Sequence, residues 1–571
     1  MFAGQILGIC RQYVMWKVAC ATFTALSSAV FLTSSLSYLL ESQLLYANMY
    51  TNPQPRLHTS GVTFVQPAKP IKPIQFSCSA VENLCARVHH SVAQFFPIRS
   101  SANVEKIFYD LKQGLSLVMS EHPIIAGTLR QGERGEFGVE IPPAPHAGAY
   151  FHFSDMSNDP RFPSFSELQE CGFPYMDGDL DGLKEFRPDP FPTNEEGQPT
   201  FVTKICHVRG GIVWTGSLSH LITDLALGTA IMIRWAKYTK QVTEAAGKHI
   251  TIPRQLPWPE RKRLLPAVES PLQIEDIGAL NKTLQRYTVL DPTDPDKMVD
   301  DIGNVFVKAD VTDANPDQLD YFLEPTSGIW RFTPSKLHAL IDAVRRVEPD
   351  VKLSQFDIVT AFIWQRLCMA KRGNRDGNEP LTAQIVTAID VRRKLSPPLP
   401  ATFLGACVDL VRVCVDRDVL KPQQDQWKGI SGIAKRVREF GTAWSEADYM
   451  GLLKLSLRTP MCPGLIPRGP IDMLVTEHSM FGLGLQADWG GELGCSVALR
   501  EPYISRETPR GEVIILPRQP NGDLEVIISA EEIVLERLMV DVDMSTVCEN
   551  VCVRHNVLES FASMATKKAK L

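Results

Sequence analysis

A histidine and an aspartate four residues apart, His220 and Asp224, form the pattern in this chain best suited to chemistry. The strand-like residues 211–218 precede the histidine, and an apolar helical pattern follows the aspartate. A histidine between two rigid elements is held in place while its ring faces a cleft, as a general base requires. The aspartate can fix the ring or brace the loop by pairing with an arginine. We therefore predict that His220 abstracts a proton and that Asp224 supports it.

The same spacing recurs at His338 and Asp342, which provides an internal control. This second pair lies within the amphipathic pattern of residues 334–347 and is followed by Arg345 and Arg346. Residues four apart on one helix are surface neighbours, so the sequence predicts a solvated contact there. Only His220 has a strand before it and a helix after it.

A glycine-rich stretch at residues 486–494 is the second candidate region, and it contains Asp488, Trp489 and Gly490. Three glycines beside an aspartate and a tryptophan predict a tight turn where two backbones approach closely. A surface hairpin turn is the alternative interpretation.

Composition and absent motifs exclude several classes of protein. The chain has 44% hydrophobic and 22% charged residues, typical of a globular body, and its net charge of -6 argues against a nucleic-acid partner. Its 13 cysteines include no CxxC pair and no Cys/His cluster at zinc spacing, so we predict neither a disulfide scaffold nor a metal site. A phosphate-binding loop, a GxSxG elbow and an HExxH helix are also absent. We expect no permanently bound cofactor.

Helical and strand patterns alternate through both halves of the chain. Helical spacing marks residues 104–121, 225–240, 334–347, 354–372, 428–440, 446–457 and 530–540. Strand patterns mark residues 201–218, 382–391 and 408–415, and 512–517 should pair with 523–529 across a turn. Mixed elements without an internal repeat predict an α/β (α+β) protein of two lobes.

We predict five segments from these patterns and from the proline-rich stretches between them. They are an N-terminal hydrophobic extension and linker at 1–75, an N-terminal lobe at 76–250, a crossover loop at 251–327, a C-terminal lobe at 328–545 and a tail at 546–571.

Five ordered markers together resemble the BAHD superfamily of acyl-CoA-dependent acyltransferases, particularly its fungal branch with the trichothecene acetyltransferases. The HxxxD of His220 and Asp224 and the box at Asp488 are similar to that family's two signature motifs. The other markers are residues 122–127, similar to a Pro-x-x-Ala-Gly turn, residues 354–364, similar to a Thr-x-x-Asp-x-x-x-Ala-x-x-Trp helix, and residues 388–405, similar to an Asn-x-Arg strand with a proline-rich loop. The likeness spans about residues 76–545.

The resemblance implies two chloramphenicol-acetyltransferase-like lobes with a channel between them, a long crossover loop and a monomer. Acyl-CoA would be a co-substrate, and the acceptor would be a hydroxyl or amine of a small molecule in fungal secondary metabolism. His220 would be the general base and Asp224 structural, with Arg392 as its partner. The Asp488, Trp489 and Gly490 box would hold its loop in shape, and Thr476 is a candidate oxyanion donor.

Departures from the family pattern leave alternatives open. Leu225 stands where a glycine usually follows the motif's aspartate, Ala406 replaces an asparagine, and the box has no phenylalanine. Residues 476–478, Thr-Glu-His, replace a Thr-Ser-Trp segment. The alternatives are a condensation or carnitine-type acyltransferase with another acyl carrier, and a non-catalytic small-molecule binding relative.

The two ends of the chain suggest where it resides. Residues 18–40 carry no charge and are long enough to cross a bilayer, although many serines and threonines dilute them, so an anchor, a cleaved signal and a disordered extension stay open. The C-terminal Ala569, Lys570 and Leu571 nearly match a peroxisomal address. We expect a cytoplasmic or peroxisomal protein, with membrane association through residues 18–40 as the alternative.

Overall fold

The structure is a computed structural model in which most of the chain between residues 60 and 553 is described. The described residues are 60–79, 82, 89–132, 137–160, 162–173, 186–188, 197–245, 250–252, 264, 287–289, 297–299, 305–307, 325–371, 382–400, 403, 405–442, 444–447, 449–451, 453, 465–467, 471–479, 481–500 and 511–553. The predictions made for residues 18–40 and 569–571 lie outside them.

The strands are numbered in chain order. They are β1 (Ser60–Val65), β2 (Ile74–Ser77), β3 (His89–Pro97), β4 (Thr128–Gln131), β5 (Phe137–Ile141), β6 (Ala149–Asp155), β7 (Phe201–Val208), β8 (Gly211–Ser219), β9 (Tyr287–Val289), β10 (Lys297–Val299), β11 (Val305–Val307), β12 (Pro325–Phe332), β13 (Thr382–Asp390), β14 (Val408–Asp416), β15 (Leu465–Pro467), β16 (Met473–Glu477), β17 (Ala498–Arg500), β18 (Glu512–Ile515), β19 (Leu524–Glu531) and β20 (Glu549–Val553).

The α-helices follow the predicted patterns closely. They are α1 (Val104–Glu121), α2 (Phe165–Glu170), α3 (Leu225–Ala245), α4 (Pro334–Val347), α5 (Gln355–Lys371), α6 (Gln426–Arg438), α7 (Phe481–Leu485), α8 (Glu532–Met539) and α9 (Val542–Val547). The strand pattern of residues 201–218 proves to be two antiparallel strands, β7 and β8, because the chain reverses at Gly210, whose φ is 86°.

Two large sheets organise the described chain. The first has six strands in the order β1-β6-β7-β8-β3-β17, and the second has seven in the order β14-β13-β16-β18-β19-β12-β20. Both are mixed, with parallel pairs at β6 and β7, at β13 and β16, and at β16 and β18. The mixed α/β fold in two lobes is confirmed.

The hydrophobic cores explain how each sheet is covered. Side chains alternate along β8, so Trp214 and Leu218 join the core beneath α1 and α3, whereas Val213 points to the other face. That other face packs against residues of the second sheet such as Ile329 and Ile527. The second sheet is covered by α4, α5, α6 and α8. The two lobes therefore share a core.

Strands lie within three of the predicted connecting segments. In the predicted extension and linker at 1–75, β1 at 60–65 pairs antiparallel with β6, and β2, which begins at residue 74, pairs with β5. The predicted crossover loop at 251–327 contains β9, β10, β11 and the start of β12, and the predicted tail contains β20, which pairs with β12. These strands are short or polar, so their pairing is decided by partners distant in sequence.

One strand crosses between the predicted lobes. β17, from the second half of the chain, pairs antiparallel with β3 at the edge of the first sheet. Within the described residues, the structure contains no helix with the length and apolar composition needed to span a bilayer.

Candidate active site

The turn between β8 and α3 places His220 and Asp224 where predicted, at a strand-to-helix junction. The chain leaves β8 at Ser219, and the amide of Ile222 donates to the Ser219 carbonyl at 3.2 Å. Asp224 caps α3, because its Oδ1 accepts from the Leu227 amide at 3.2 Å and its carbonyl from the Gly228 amide at 2.9 Å. The helix cap thus fixes the loop that carries His220.

The other carboxylate oxygen of Asp224 binds the second lobe. Its Oδ2 lies 2.7 Å from Nη2 of Arg392, and it accepts a hydrogen bond from the Cys407 amide at 3.1 Å. Both charged side chains are less than a tenth exposed, and Arg392 also donates to the Gly405 carbonyl at 2.6 Å. The structure thus brings Asp224 and Arg392 together. A buried charge pair with its hydrogen bonds satisfied is costly to break, so it holds the histidine loop against the second lobe.

Two further histidines lie beside His220, and together with it they form what we call the histidine cluster: His90, His220 and His478. The ring of His90 lies 6.2 Å from that of His220 and 5.4 Å from that of His478, in both cases nearly perpendicular. Phe481 stacks on His90 at 5.7 Å with an interplanar angle of 8°. The cluster joins β3, the end of β8 and the residue after β16.

The surroundings of His220 keep it neutral. Burial lowers the pKa of its imidazole below the ordinary 6.5, and His478 lowers it further, while a hydrogen bond to its own main chain and the charge of Asp224 oppose the shift. An unprotonated imidazole at neutral pH is the form that accepts a proton.

The glycine-rich box forms the predicted tight turn, and it packs on helix α3 of the first lobe. Asp488 accepts from Lys240 at 2.7 Å and from the Gly490 amide at 2.9 Å. These bonds lower the pKa of the Asp488 carboxyl. Trp489 is 1% exposed and packs against Trp214 and Trp235. Trp489 therefore anchors this turn in the core of the first lobe.

Thr476 lies near the end of β16, where it pairs with Ile514 of β18 and is partly buried. It is two residues from His478 along the chain. Its role as an oxyanion donor stays a prediction.

The control pair behaves as expected. His338 and Asp342 lie on α4, and both are exposed to solvent.

Sequence analysis missed His90 and His478 as neighbours of His220. His90 is opposite Leu218 in the pairing of β3 with β8, far away in sequence. In the sequence, a signal for His478 was available, because a histidine stands there in place of the tryptophan of the family's Thr-Ser-Trp segment. Within the described ranges, no group of three or more His, Cys, Asp or Glu residues could hold a metal ion.

The arrangement supplies a neutral imidazole at the junction of two lobes, braced by a buried ion pair. Such a group can take a proton from a hydroxyl or amine held against it.

Comparison with known proteins adds a family and a fold. The pattern that defines the Transferase family matches residues 56–439. An acyltransferase of Cochliobolus lunatus is 22% identical over 80% of this chain and 92% of its own length, and one of Emericella nidulans is 26% identical over 85% and 98%. The trichothecene 3-O-acetyltransferase of Fusarium sporotrichioides is 20% identical over 80% and 92%.

Solved structures share the fold at low sequence identity. The trichothecene acetyltransferase of Fusarium graminearum, crystallised with ethyl coenzyme A, superposes with a TM-score of 0.61 at 16% identity, covering 84% of this chain and all of that one. Vinorine synthase superposes with a TM-score of 0.57 at 15% identity, covering 86% and 98%.

Proposed function

The chain belongs to the Transferase family, and from this we propose that it moves an acyl group from acyl-CoA to a hydroxyl or amine of a small molecule, with His220 as general base. Fungal acyltransferases are its relatives along most of its length, which supports a role in secondary metabolism. The Fusarium graminearum structures contain coenzyme A with T-2 mycotoxin or deoxynivalenol, which supports a CoA donor and a small acceptor here.

The reaction follows from a neutral imidazole. His220 takes the proton of the acceptor as its oxygen or nitrogen attacks the thioester carbonyl. The tetrahedral intermediate then collapses, the carbon–sulfur bond breaks, and the thiolate of CoA takes the proton from the imidazolium. General-base catalysis of this kind accelerates a reaction about 10²- to 10⁴-fold. Holding the two substrates next to each other accelerates it further.

Asp224 contributes by holding the loop that carries His220 in place. Its oxygens bind the α3 amide of Leu227, Arg392 and the Cys407 amide. It therefore fixes the loop, and its charge partly offsets the fall in the pKa of His220. Thr476 is the candidate to donate a hydrogen bond to the oxyanion, since it precedes His478 in the chain by two residues.

The observation that carries the proposal is the position of His220 one turn before an aspartate whose carboxylate forms a buried 2.7 Å ion pair with Arg392 of the other lobe. This contact joins the loop that carries His220 to the second lobe, which supports a base at the junction of the two halves of the molecule.

The test is thiol release from acetyl-CoA by the purified protein, with a panel of small alcohols and amines as acceptors. We expect release that depends on an acceptor and falls by about 10² to 10⁴ in His220→Ala. His338→Ala is the matched control, because His338 has the same spacing to an aspartate but is exposed on α4.

Three results would contradict the proposal. Equal losses in the two variants would show that His220 is not the base. Activity with a carrier-bound acyl group but not with CoA esters would indicate the condensation-type alternative. Binding of acceptors without any thiol release would indicate a non-catalytic relative.

A further inference from the structure

A small cavity of about 20 Å³ lies between β8 and α3, beside the histidine cluster. Apolar side chains provide nearly all of its wall, among them Trp214, Leu218, Ile231 and Trp235. A cavity needs about 10–15 Å³ to hold one water molecule, and water gains little from a wall that is nearly all apolar. Its natural occupant is therefore a hydrocarbon group about the size of a methyl or ethyl.

One end of the cavity reaches the site of chemistry. His90, Thr223 and Asp224 belong to its lining, and so does Phe481, which stacks on His90. His90 in turn contacts the ring of His220 at 6.2 Å. If the hydrocarbon end of a molecule enters the cavity from this end, the atom that carries this group lies close to the base.

We propose that this cavity receives the hydrocarbon end of the donor's acyl group and so restricts the enzyme to short acyl chains. The inference rests on the proposed function, because only an acyl donor presents a carbonyl carbon to His220 with an apolar group directly attached. A thioester places that apolar group within a bond of the reacting carbon, and His90 of the histidine cluster lines the cavity. The volume fits acetyl or propionyl.

Gly228, in the first turn of α3, keeps the cavity open. A methyl group added there would lie 3.7 Å from Phe481 and 4.0 Å from Leu218, in ordinary contact, so alanine fits and fills the space. At Gly216 the added carbon would lie 2.7 Å from the Trp214 ring and would displace it. Gly228 is therefore the cleaner position for a test.

The first experiment narrows the cavity. Values of kcat/KM are measured with acetyl-, propionyl- and butyryl-CoA for the full chain and for Gly228→Ala. We expect the propionyl-to-acetyl ratio to fall about tenfold, the effect of one methylene in an apolar pocket. Gly432→Ala is the matched control, since it adds the same methyl group within helix α6 with nothing within 4 Å.

The second experiment widens the cavity. Ile231→Ala should raise the butyryl-to-acetyl ratio about tenfold. Leu115→Ala is its control, because Leu115 is fully buried in the same core but does not line the cavity. Both variants lose core packing, so a change confined to Ile231→Ala reports the cavity and not reduced stability.

The outcomes separate the two proposals. No thiol release by the unmodified enzyme with any CoA ester would overturn the proposed function. Full activity with unchanged donor ratios in Gly228→Ala and Ile231→Ala would overturn the cavity assignment alone. A change in the KM of the acceptor without a change in donor ratio would also overturn it, because the acceptor would then occupy the cavity.

Discussion

His90, His220 and His478 share one aromatic neighbourhood with Phe481. Burial alone disfavours the imidazolium form of His220, and a second histidine nearby disfavours it further. The charge of Asp224 works in the opposite direction, so the protonation of the base depends on its own loop and on His478 from the second half of the chain.

The pH dependence of kcat/KM should report this balance. Since the pKa of His220 is lowered from 6.5, activity should stay constant near neutral pH and decline only at pH values below 6.5, as the imidazole is protonated. His478→Phe removes an interaction that lowers this pKa, so the decline should begin at a higher pH. The exposed His338→Phe serves as control, and an acid limb that is identical in all three proteins would contradict the assignment.

Removing the carboxylate of Asp224 should destabilise the protein, because Arg392 would keep a buried charge with one fewer partner. Loss of one member of a buried pair typically costs about 3–5 kcal/mol, to which the lost helix cap adds about 1 kcal/mol. We expect Asp224→Ala to lower the thermal midpoint more than Asp224→Asn, which keeps an oxygen for the Leu227 amide. A double-mutant cycle with Arg392→Gln measures the coupling, and additive effects would contradict it.

At the scale of elements, helix α3 connects the parts of the site. Its first residues frame the cavity, its cap at Asp224 binds the second lobe, and its last turns hold the glycine-rich box through Lys240. The box is tight because the backbone approaches α3 closely: a carbon added at Gly490 would lie 2.7 Å from Cα of Lys240. The helix is thus fixed at both ends.

A comparison of Gly490 with Gly494 tests the close approach of the glycine-rich box to α3 separately from the effect of backbone conformation. Both have positive φ, 76° and 60°, but nothing lies within 4 Å of a carbon added at Gly494. Gly494→Ala should cost only the left-handed penalty of about 1–2 kcal/mol. Gly490→Ala should cost clearly more, since it also pushes the turn from α3 and Trp489 from its packing. Equal thermal midpoints for the two variants would show that the contact with α3 is unimportant.

At the scale of the whole molecule, the second half of the chain completes the first sheet. Arg500 of β17 lies in that sheet and forms an ion pair at 2.7 Å with Glu525 of β19 in the second, and both side chains are almost fully buried. Arg331 of β12 binds the same glutamate, and Arg500 also donates to the carbonyls of Gly172 and Phe173. The ion pair therefore links the two sheets.

Arg500→Ala should reduce stability and activity together. Leaving Glu525 with one partner fewer should cost about 3 kcal/mol or more, seen as a lower thermal midpoint, and a shift between the lobes should also lower kcat. The control is Arg417→Ala, because Arg417 pairs with Asp472 at 2.9 Å within the second lobe. That variant should lose stability but keep its kcat at temperatures where it is folded. Unchanged kcat in Arg500→Ala would argue against coupling between the lobes.

The localisation of the protein stays a prediction from its C-terminal tripeptide. If Ala569, Lys570 and Leu571 act as a peroxisomal address, a fluorescent protein fused ahead of this chain should give a punctate pattern. Deleting the three residues should then disperse the signal through the cytoplasm. A pattern that is unaffected by the deletion would exclude this address, and a membrane pattern lost on deleting residues 18–40 would favour the anchor.

The sequence by itself determined the longer helices, six of the described strands, the two-lobed α/β class and the junction that carries His220 and Asp224. These follow from hydrophobic periodicity and from capping residues, which act within a few neighbours along the chain. The choice of Arg392 as the partner of Asp224 came from the order of the motifs and not from any local pattern.

Only the tertiary structure decided which distant segments meet. Pairing of β17 with β3, the approach of His90 and His478 to His220, and the cavity beneath Gly228 depend on strands brought together from opposite ends of the chain. A short strand such as β17 carries too few residues for a distinctive pattern, and its partner is selected by the packing of both lobes. Contacts of this kind arise from shape complementarity in the folded core, which no local pattern encodes.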